Sequence, residues 1–180
     1  MSFPPRGGKD TYVLAADWLA PRARMQREDA LAELARRYAD AFGPAEPEDF
    51  AAWSGLGLRD ARAAWEHAAP LSAEAEPPDP PLVRLVPAFD TYLLGYRGRE
   101  LAVAPEHSNA VWPGGGIVRA AVLANGAACG TWSLRRNGAR HTLEVTPFAE
   151  APDVDGEAAD IARFLGTPVD VSPAGGRSAR

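Results

Sequence analysis

Between about Arg27 and Phe42 the apolar residues fall at Leu31, Leu34, Ala35, Tyr38, Ala41 and Phe42. Intervals of three and four place them on one stripe of an amphipathic helix and turn Glu33, Arg36, Arg37 and Asp40 outward. Glu28 and Asp29 in the first turn complement the helix dipole. Gly43-Pro44 ends it, with the glycine expected in a left-handed C-cap and the proline forbidding continuation. A second, short helix is predicted from Pro47 to Trp53, with proline at a permissive first-turn position and Ser54-Gly55 as its stop. Leu56 leads to a third, about Leu58 to Ala68, whose stripe is Leu58, Ala61, Trp65 and Ala68, with Arg59, Arg62 and Glu66 off it. Short turns between three such helices are the layout of a helix-turn-helix core, and equally of a plain three-helix scaffold. In the former the last helix enters the major groove and offers its basic side chains.

The period then changes. Leu82–Val86 predicts a short strand, and Pro87 to Tyr96 a buried helical turn or strand. From Pro113 to Pro147 two Asn-Gly pairs, Asn125-Gly126 and Asn137-Gly138, are flanked by short apolar or β-branched runs. Asn-Gly is the strongest short-range hairpin signal, because both central residues of a type I′ turn need positive φ. Two such turns predict an antiparallel meander of roughly Ile117–Leu123, Ala128–Arg135 and Ala139–Thr146, approached through Gly114-Gly115-Gly116. Ala104 to Asn109 is expected to be a loop, and Thr11 to Leu14 a short strand. A last helix is predicted over about Asp155 to Leu165, stopped by Gly166-Thr167-Pro168.

The fold class that follows is α+β: a three-helix, helix-turn-helix (winged-helix-like) subdomain, then an antiparallel β-meander subdomain with a C-terminal helix. Ala69 to Pro81, APLSAEAEPPDPP, is too rich in breakers for a central strand or interior helix. The expected organisation is therefore a helical domain over 11–68, a proline-rich linker over 69–81 and a β-rich domain over 82–166. The ends, 1–10 and 167–180, are expected to be flexible.

Composition narrows the function classes. A chain of 180 residues with 46% apolar and 24% charged residues suits an ordinary globular protein. No segment suggests a membrane span or a signal peptide, and the lone Cys129 excludes an internal disulfide, so the expected location is the cytoplasm. Cys129, mid-strand beside Gly130, is expected to pack rather than react. The formal net charge of −5 argues against a protein that coats DNA. The charge is unevenly spread, however: residues 111–150 carry 4 basic and 2 acidic groups and are the only net-basic section.

Candidate chemistry is sparse. His67, His107 and His141 lie in separate segments, so no metal site and no cofactor is expected. Gly114-Gly115-Gly116 lacks the Lys-Ser/Thr that a phosphate loop carries and reads as a structural turn. No Ser, His and acid suggest a triad. Asp90, the one carboxylate in an apolar run, is a candidate general base; the alternative is a cap on the turn that starts at Thr91.

The wording LVPAFDTYLLGYRGRE and then VWPGGGIVRAAVLANGAACGTWSLRR resembles the C-terminal half of the AlkZ/YcaQ-like winged-helix DNA-binding family. The segment ALAELARRYADAFGPAEPEDFAAWSGLGLRDARAAW resembles that family's internal winged-helix domain, so the similarity covers about residues 11–166. The resemblance implies bacterial DNA glycosylases that excise alkylated bases and unhook interstrand crosslinks, built from tandem winged helices and a β-rich C-terminal region. It also implies a catalytic Gln-x-Gln or Gln-x-Asp. Gln26 is the only glutamine of this chain and is followed by Arg27-Glu28, so neither motif is present. The chain is expected to start at the family's second domain, without the first winged helix, and to lack a wing hairpin after its third helix.

Double-stranded DNA is accordingly the expected partner, read by Arg59 and Arg62 from the third helix. Arg119, Arg135, Arg136 and Arg140 are the expected phosphate contacts from the sheet. No catalytic residue is assigned, and base excision is not expected of this chain alone. Two alternatives stand beside this: one piece of an enzyme whose catalytic domain is separate, and an interaction module. In the second, Trp112, Trp132 and Tyr96 would form an apolar surface favouring self-association or a missing N-terminal domain.

Overall fold

A short helix, α1 (Ala15–Trp18), precedes the long α2 (Arg27–Phe42) in the computed structural model, which describes residues 12–20, 25–67 and 82–173. The strand expected over Thr11 to Leu14 is not seen. Thr11 lies outside the described residues, and Tyr12 to Leu14 are exposed without regular structure. An apolar run becomes a strand only where a neighbour takes its backbone hydrogen bonds. Here the Leu14 carbonyl instead accepts from Asp17 N at 3.0 Å and starts α1.

The stripe on α2 holds in most positions: Ala35 and Tyr38 are buried and Leu31, Leu34 and Phe42 partly so. Ala41 is exposed and Ala39 is buried in its stead, which shifts the inward face slightly around the helix. Gly43 is extended (φ −63°, ψ 146°), not left-handed. The proline that follows restricts it to extended backbone. Helix α3 (Pro47–Ser54) does end on a left-handed glycine, Gly55 at φ 73°, and α4 (Leu58–Trp65) follows after Leu56-Gly57. Phe42, Phe50, Trp53 and Trp65 gather around Tyr38, whose ring centroid lies 4.9 to 6.0 Å from the other four. Ala61 and Ala64 bring α4 close to this cluster because they have no bulk to hold it away.

On the outer face of α2, Glu33 accepts from Arg36 and Arg37 at 2.8 to 3.0 Å, the i,i+3 and i,i+4 spacing that helix geometry brings together. The two guanidinium groups hold its carboxyl at about 2, below the ordinary 4.5. A depressed carboxyl contributes stability above its unfolded value that is lost as pH falls toward its folded one. Denaturant unfolding should therefore weaken less between pH 5 and pH 2 in Glu33→Gln than in the parent. Equal losses would show that the pair contributes nothing.

The proline-rich run 69–81 lies outside the described residues. Beyond it the chain builds one five-stranded sheet in the order β1 (Val83–Val86), β2 (Ala121–Ala124), β3 (Ala127–Asn137), β4 (Arg140–Pro147), β5 (Val169–Pro173). The pairs are antiparallel up to β4, and β5 runs parallel to β4. Three differences from the sequence reading have physical causes. The meander's first strand starts at Ala121 rather than Ile117, because the amides of Ile117 and Arg119 are taken by the Gly114 and Val111 carbonyls at 3.1 and 2.9 Å. Asn125-Gly126 (φ 50° and 84°) is the expected two-residue turn. The second turn, however, is Gly138-Ala139: Asn137 still pairs with Arg140, and only Gly138 has positive φ. Glycine at the first central position is the type II′ solution, which closes the hairpin with the same twist. Finally, Val169–Pro173, expected in a flexible end, forms the parallel strand, because α7 (Asp155–Leu165) returns the chain alongside β4.

Before β2 come α5 (Thr91–Leu94), a 3-10 turn at Pro105–His107 and α6 (Ser108–Val111). The expected loop over Ala104–Asn109 is therefore largely helical, its first turn set by Pro105. These pieces cover one face of the sheet, where Leu93, Val103, Val111 and Trp112 pack on Ala121, Leu123 and Ala128. Helix α7 covers the other, with Val154, Ala158 and Ile161 on Val122, Leu143 and Val145. Cys129 is the extra residue of a bulge opposite Val122/Leu123; its half-buried thiol is pushed up by desolvation. This agrees with packing rather than reactivity.

Candidate nucleic-acid interface

Helix α4 presents Arg59, Arg62 and Ala63 outward because Ala61 and Ala64 face the core. The two arginines are not equivalent. Arg62 is held by Glu48 of α3 at 2.6 Å, which lowers the Glu48 carboxyl. Arg59 has no carboxylate ion pair among the described residues. It borders an open concavity of about 260 Å³ between α2 and α4, together with Arg27, Leu31 and His67. Asp60 beside it is occupied by Arg27 at 2.6 Å.

The sheet arginines divide in the same way. Arg135 is taken by Glu144 at 2.8 Å across the hairpin. Arg140 makes a two-pronged pair with Asp170 of β5 (2.8 and 2.5 Å), which depresses the Asp170 carboxyl. Among the described residues Arg136 donates only to the Gly138 carbonyl at 3.2 Å, and Arg119 only to that of Ala110 at 3.2 Å. Strand alternation puts Arg136, paired with His141, on the face of Leu134 and Leu143. Arg135 lies on the opposite face. There it joins Arg119 along an open groove of about 630 Å³, with Phe89 and Ile117 at its edge and Thr131, Ser133 and Thr146 along the strands. Arg59 borders the concavity between α2 and α4, whereas Arg119 and Arg135 share the groove along the sheet.

Residues given no contact role in the sequence reading complete this face. Phe89 is 55% exposed at φ 60°, a backbone conformation that costs a residue with a side chain, and Ile117 is 53% exposed. Arg99 stacks its guanidinium 4.7 Å from the Trp112 ring centroid. Its segment is net acidic, so counting charge by section hides it. Asp90 is a cap: its Oδ1 accepts from Tyr92 N at 2.8 Å and starts α5. Trp112 is 7% exposed, and Trp132 and Tyr96 are half-buried, with polar atoms bonded to the Val86 and Phe42 carbonyls. The three therefore do not form the apolar surface expected of them, because each is committed to internal packing. His107 stacks on Phe148, and His141 Nδ1 meets Thr167 Oγ1 at 3.0 Å. Among the described residues no cluster of His, Cys, Asp and Glu could hold a metal ion, and no helix is long and apolar enough to cross a membrane.

Comparison with known proteins places these features in a family. An interstrand DNA cross-link repair glycosylase of Streptomyces sahachiroi is 31% identical over 199 aligned positions, which cover 91% of this chain and 51% of that protein. The solved structure of Streptomyces sahachiroi DNA glycosylase AlkZ superposes with a TM-score of 0.71 at 27% identity, over 96% of this chain and 53% of that one. The chain thus spans about half the length of these relatives, with the α+β order of helices, mostly antiparallel sheet and C-terminal helix. The family model described as DNA glycosylase AlkZ-like matches residues 1–164, and the chain belongs to that family.

Proposed function

We propose that this chain is a DNA-binding part of an AlkZ-like glycosylase system that grips duplex DNA and does not itself cleave the glycosidic bond. The observation that carries the reading is that three of the six arginines singled out from the sequence are exposed and make no carboxylate ion pair among the described residues: Arg59 on α4, Arg119 just before β2 and Arg136 on β3. Internal pairs already neutralise Arg62, Arg135 and Arg140. Unneutralised guanidinium groups release counterions from phosphates and so favour association with a polyanion. In this reading α2 to α4 act as a winged-helix-like reader with Arg59 at the groove, and Arg119 and Arg136, on opposite faces of the sheet, are alternative contacts to the backbone. Arg62, Arg135 and Arg140 contribute only by exchanging their carboxylate for a phosphate. The absence of Gln-x-Gln and Gln-x-Asp from the sequence is the reason to separate gripping from excision.

Coverage of about half of the relatives favours a second reading, in which residues outside this chain supply the excision chemistry to the same DNA. A gel-shift titration on duplex DNA at two salt concentrations tests the grip. Binding that weakens with salt is expected, with the slope of log K against log salt reduced by about 0.9 in Arg59→Gln. No binding at low salt, or binding without a salt slope, would refute it. On alkylated duplex, no base release by this chain alone is expected; release would refute the separation of grip from excision.

A further inference from the structure

We propose that Arg99 and the Gly114-Gly115-Gly116 turn form a binding station for one phosphate group. On the DNA-binding reading above, on which this assignment of source rests, the phosphate is a phosphodiester of the strand lying along the sheet. Arg99 is held ready for such a group. Its carbonyl accepts from Ala102 N and Val103 N at 3.2 and 2.9 Å, and both of those residues are buried. Its guanidinium lies over the face of Trp112. Stacking occupies the plane of a guanidinium and leaves the N–H edge, which matches phosphate, free to donate. Arg99 makes no ion pair among the described residues, although Glu100 follows it. The Glu100 carboxylate lies toward Gly98, where an added Cβ would sit 2.7 Å from Oε2.

The three glycines have φ of 100°, 62° and 75°, and a Cβ added at any of them would meet nothing within 4 Å. Close packing therefore does not explain them; the left-handed course of the backbone does. That course commits the Gly114 carbonyl to Ile117 N at 3.1 Å. The amides of Gly115 and Gly116 have no partner among the described residues. Runs of free amides in such turns make anion-binding concavities. Arg99, Trp112, Gly114, Gly116 and Ile117 line one concavity of about 280 Å³. Trp112 itself is anchored beneath the guanidinium, only 7% exposed, and its Nε1 is buried without a hydrogen-bond partner among the described residues. Ile117 and Val118 also border the sheet groove, which makes the station continuous with Arg119.

The full chain, ¹⁵N-labelled, is titrated with inorganic phosphate and then with duplex DNA while the Gly115 and Gly116 amide signals are followed. The DNA affinity of parent, Arg99→Gln and Arg99→Lys is measured by fluorescence anisotropy across a salt series. Both ligands should move the two amides in the parent, and phosphate should leave them unmoved in Arg99→Gln. Arg99→Gln should weaken DNA binding about tenfold, the loss of one charge-assisted hydrogen bond, and lower the salt slope by about 0.9, whereas Arg99→Lys keeps the slope. Glycine amides that neither ligand moves, or an unchanged slope in Arg99→Gln with DNA binding intact, would overturn the station and leave the DNA reading standing. Amides that respond to phosphate in a parent that binds no DNA would support the station, assign it to free phosphate, and sink the DNA reading instead.

Discussion

Gly95→Val should loosen α2 to α4 from the sheet part of the molecule and, if both parts touch DNA, weaken duplex binding by at least about tenfold. The joint between them is small. Tyr38 Oη donates to the Gly95 carbonyl at 2.5 Å, Tyr96 Oη to the Phe42 carbonyl at 2.6 Å, and Arg97 N to Asp49 Oδ1 at 3.0 Å. The other oxygen of Asp49 accepts from Glu46 N at 3.1 Å at the start of α3, so one carboxylate serves helix and joint together. Burial raises the Tyr38 phenol well above its ordinary range, which keeps it a neutral donor. A Cβ at Gly95 would lie 2.4 and 2.5 Å from Phe42 Cε1 and Cδ1. That ring cannot swing away, because Tyr38 stacks on it at 4.9 Å and Tyr96 meets its edge at 6.0 Å. Overpacking of this kind costs about 1–3 kcal/mol, before any loss of the hydrogen bonds beside it. Hydrogen exchange should rise over 95–97 and at the end of α2 while β3 and β4 stay protected. Parent-like exchange together with parent-like DNA affinity would mean that the joint does not hold the two parts.

Phe50→Ala carries the largest expected cost in stability. Phe50 is fully buried, with Tyr38, Trp53 and Trp65 at 5.4, 6.3 and 6.0 Å between ring centroids. Its position on α3 is what lets α2 and α4 share one core. Removing a fully buried phenyl ring loses its transfer free energy and leaves a cavity, together about 3–5 kcal/mol. Domains of this kind hold only about 5–15 kcal/mol in total, so the helical part should come close to unfolding. Trp53 and Trp65 flank the ring, so tryptophan fluorescence during urea unfolding reports the loss directly. Phe50→Leu, which keeps most of the volume, should recover the greater share. A midpoint unchanged in Phe50→Ala would mean that α2 to α4 collapse around the gap.

Both predictions rest on contacts of different legibility. Periodicity marked α2, α3, α4 and α7 and the inward positions Ala35, Tyr38 and Ala61, because a helix places every third or fourth residue on one side whatever it packs against. Asn125-Gly126 marked a hairpin because positive φ is a local demand. Asn137-Gly138 marked another, but its closing pair was decided by the register of β3 against β4, which is not a local property. For the same reason β5 was missed: Val169–Pro173 is short and follows a helix, and only the edge of β4 makes it a strand.

The candidate interface shows the same division. The sequence by itself determined the family wording, the α+β order, the missing glutamine motif and the net-basic meander, since these are properties of residue identity and spacing. It could not say which arginines are free. Tertiary structure alone decided that Arg62, Arg135 and Arg140 face carboxylates from other elements while Arg59, Arg99, Arg119 and Arg136 face none among the described residues. The physical reason is distance. Whether a guanidinium is neutralised depends on an acid brought within about 4 Å, and Glu48, Glu144 and Asp170 lie 9 to 30 residues from the arginines they hold.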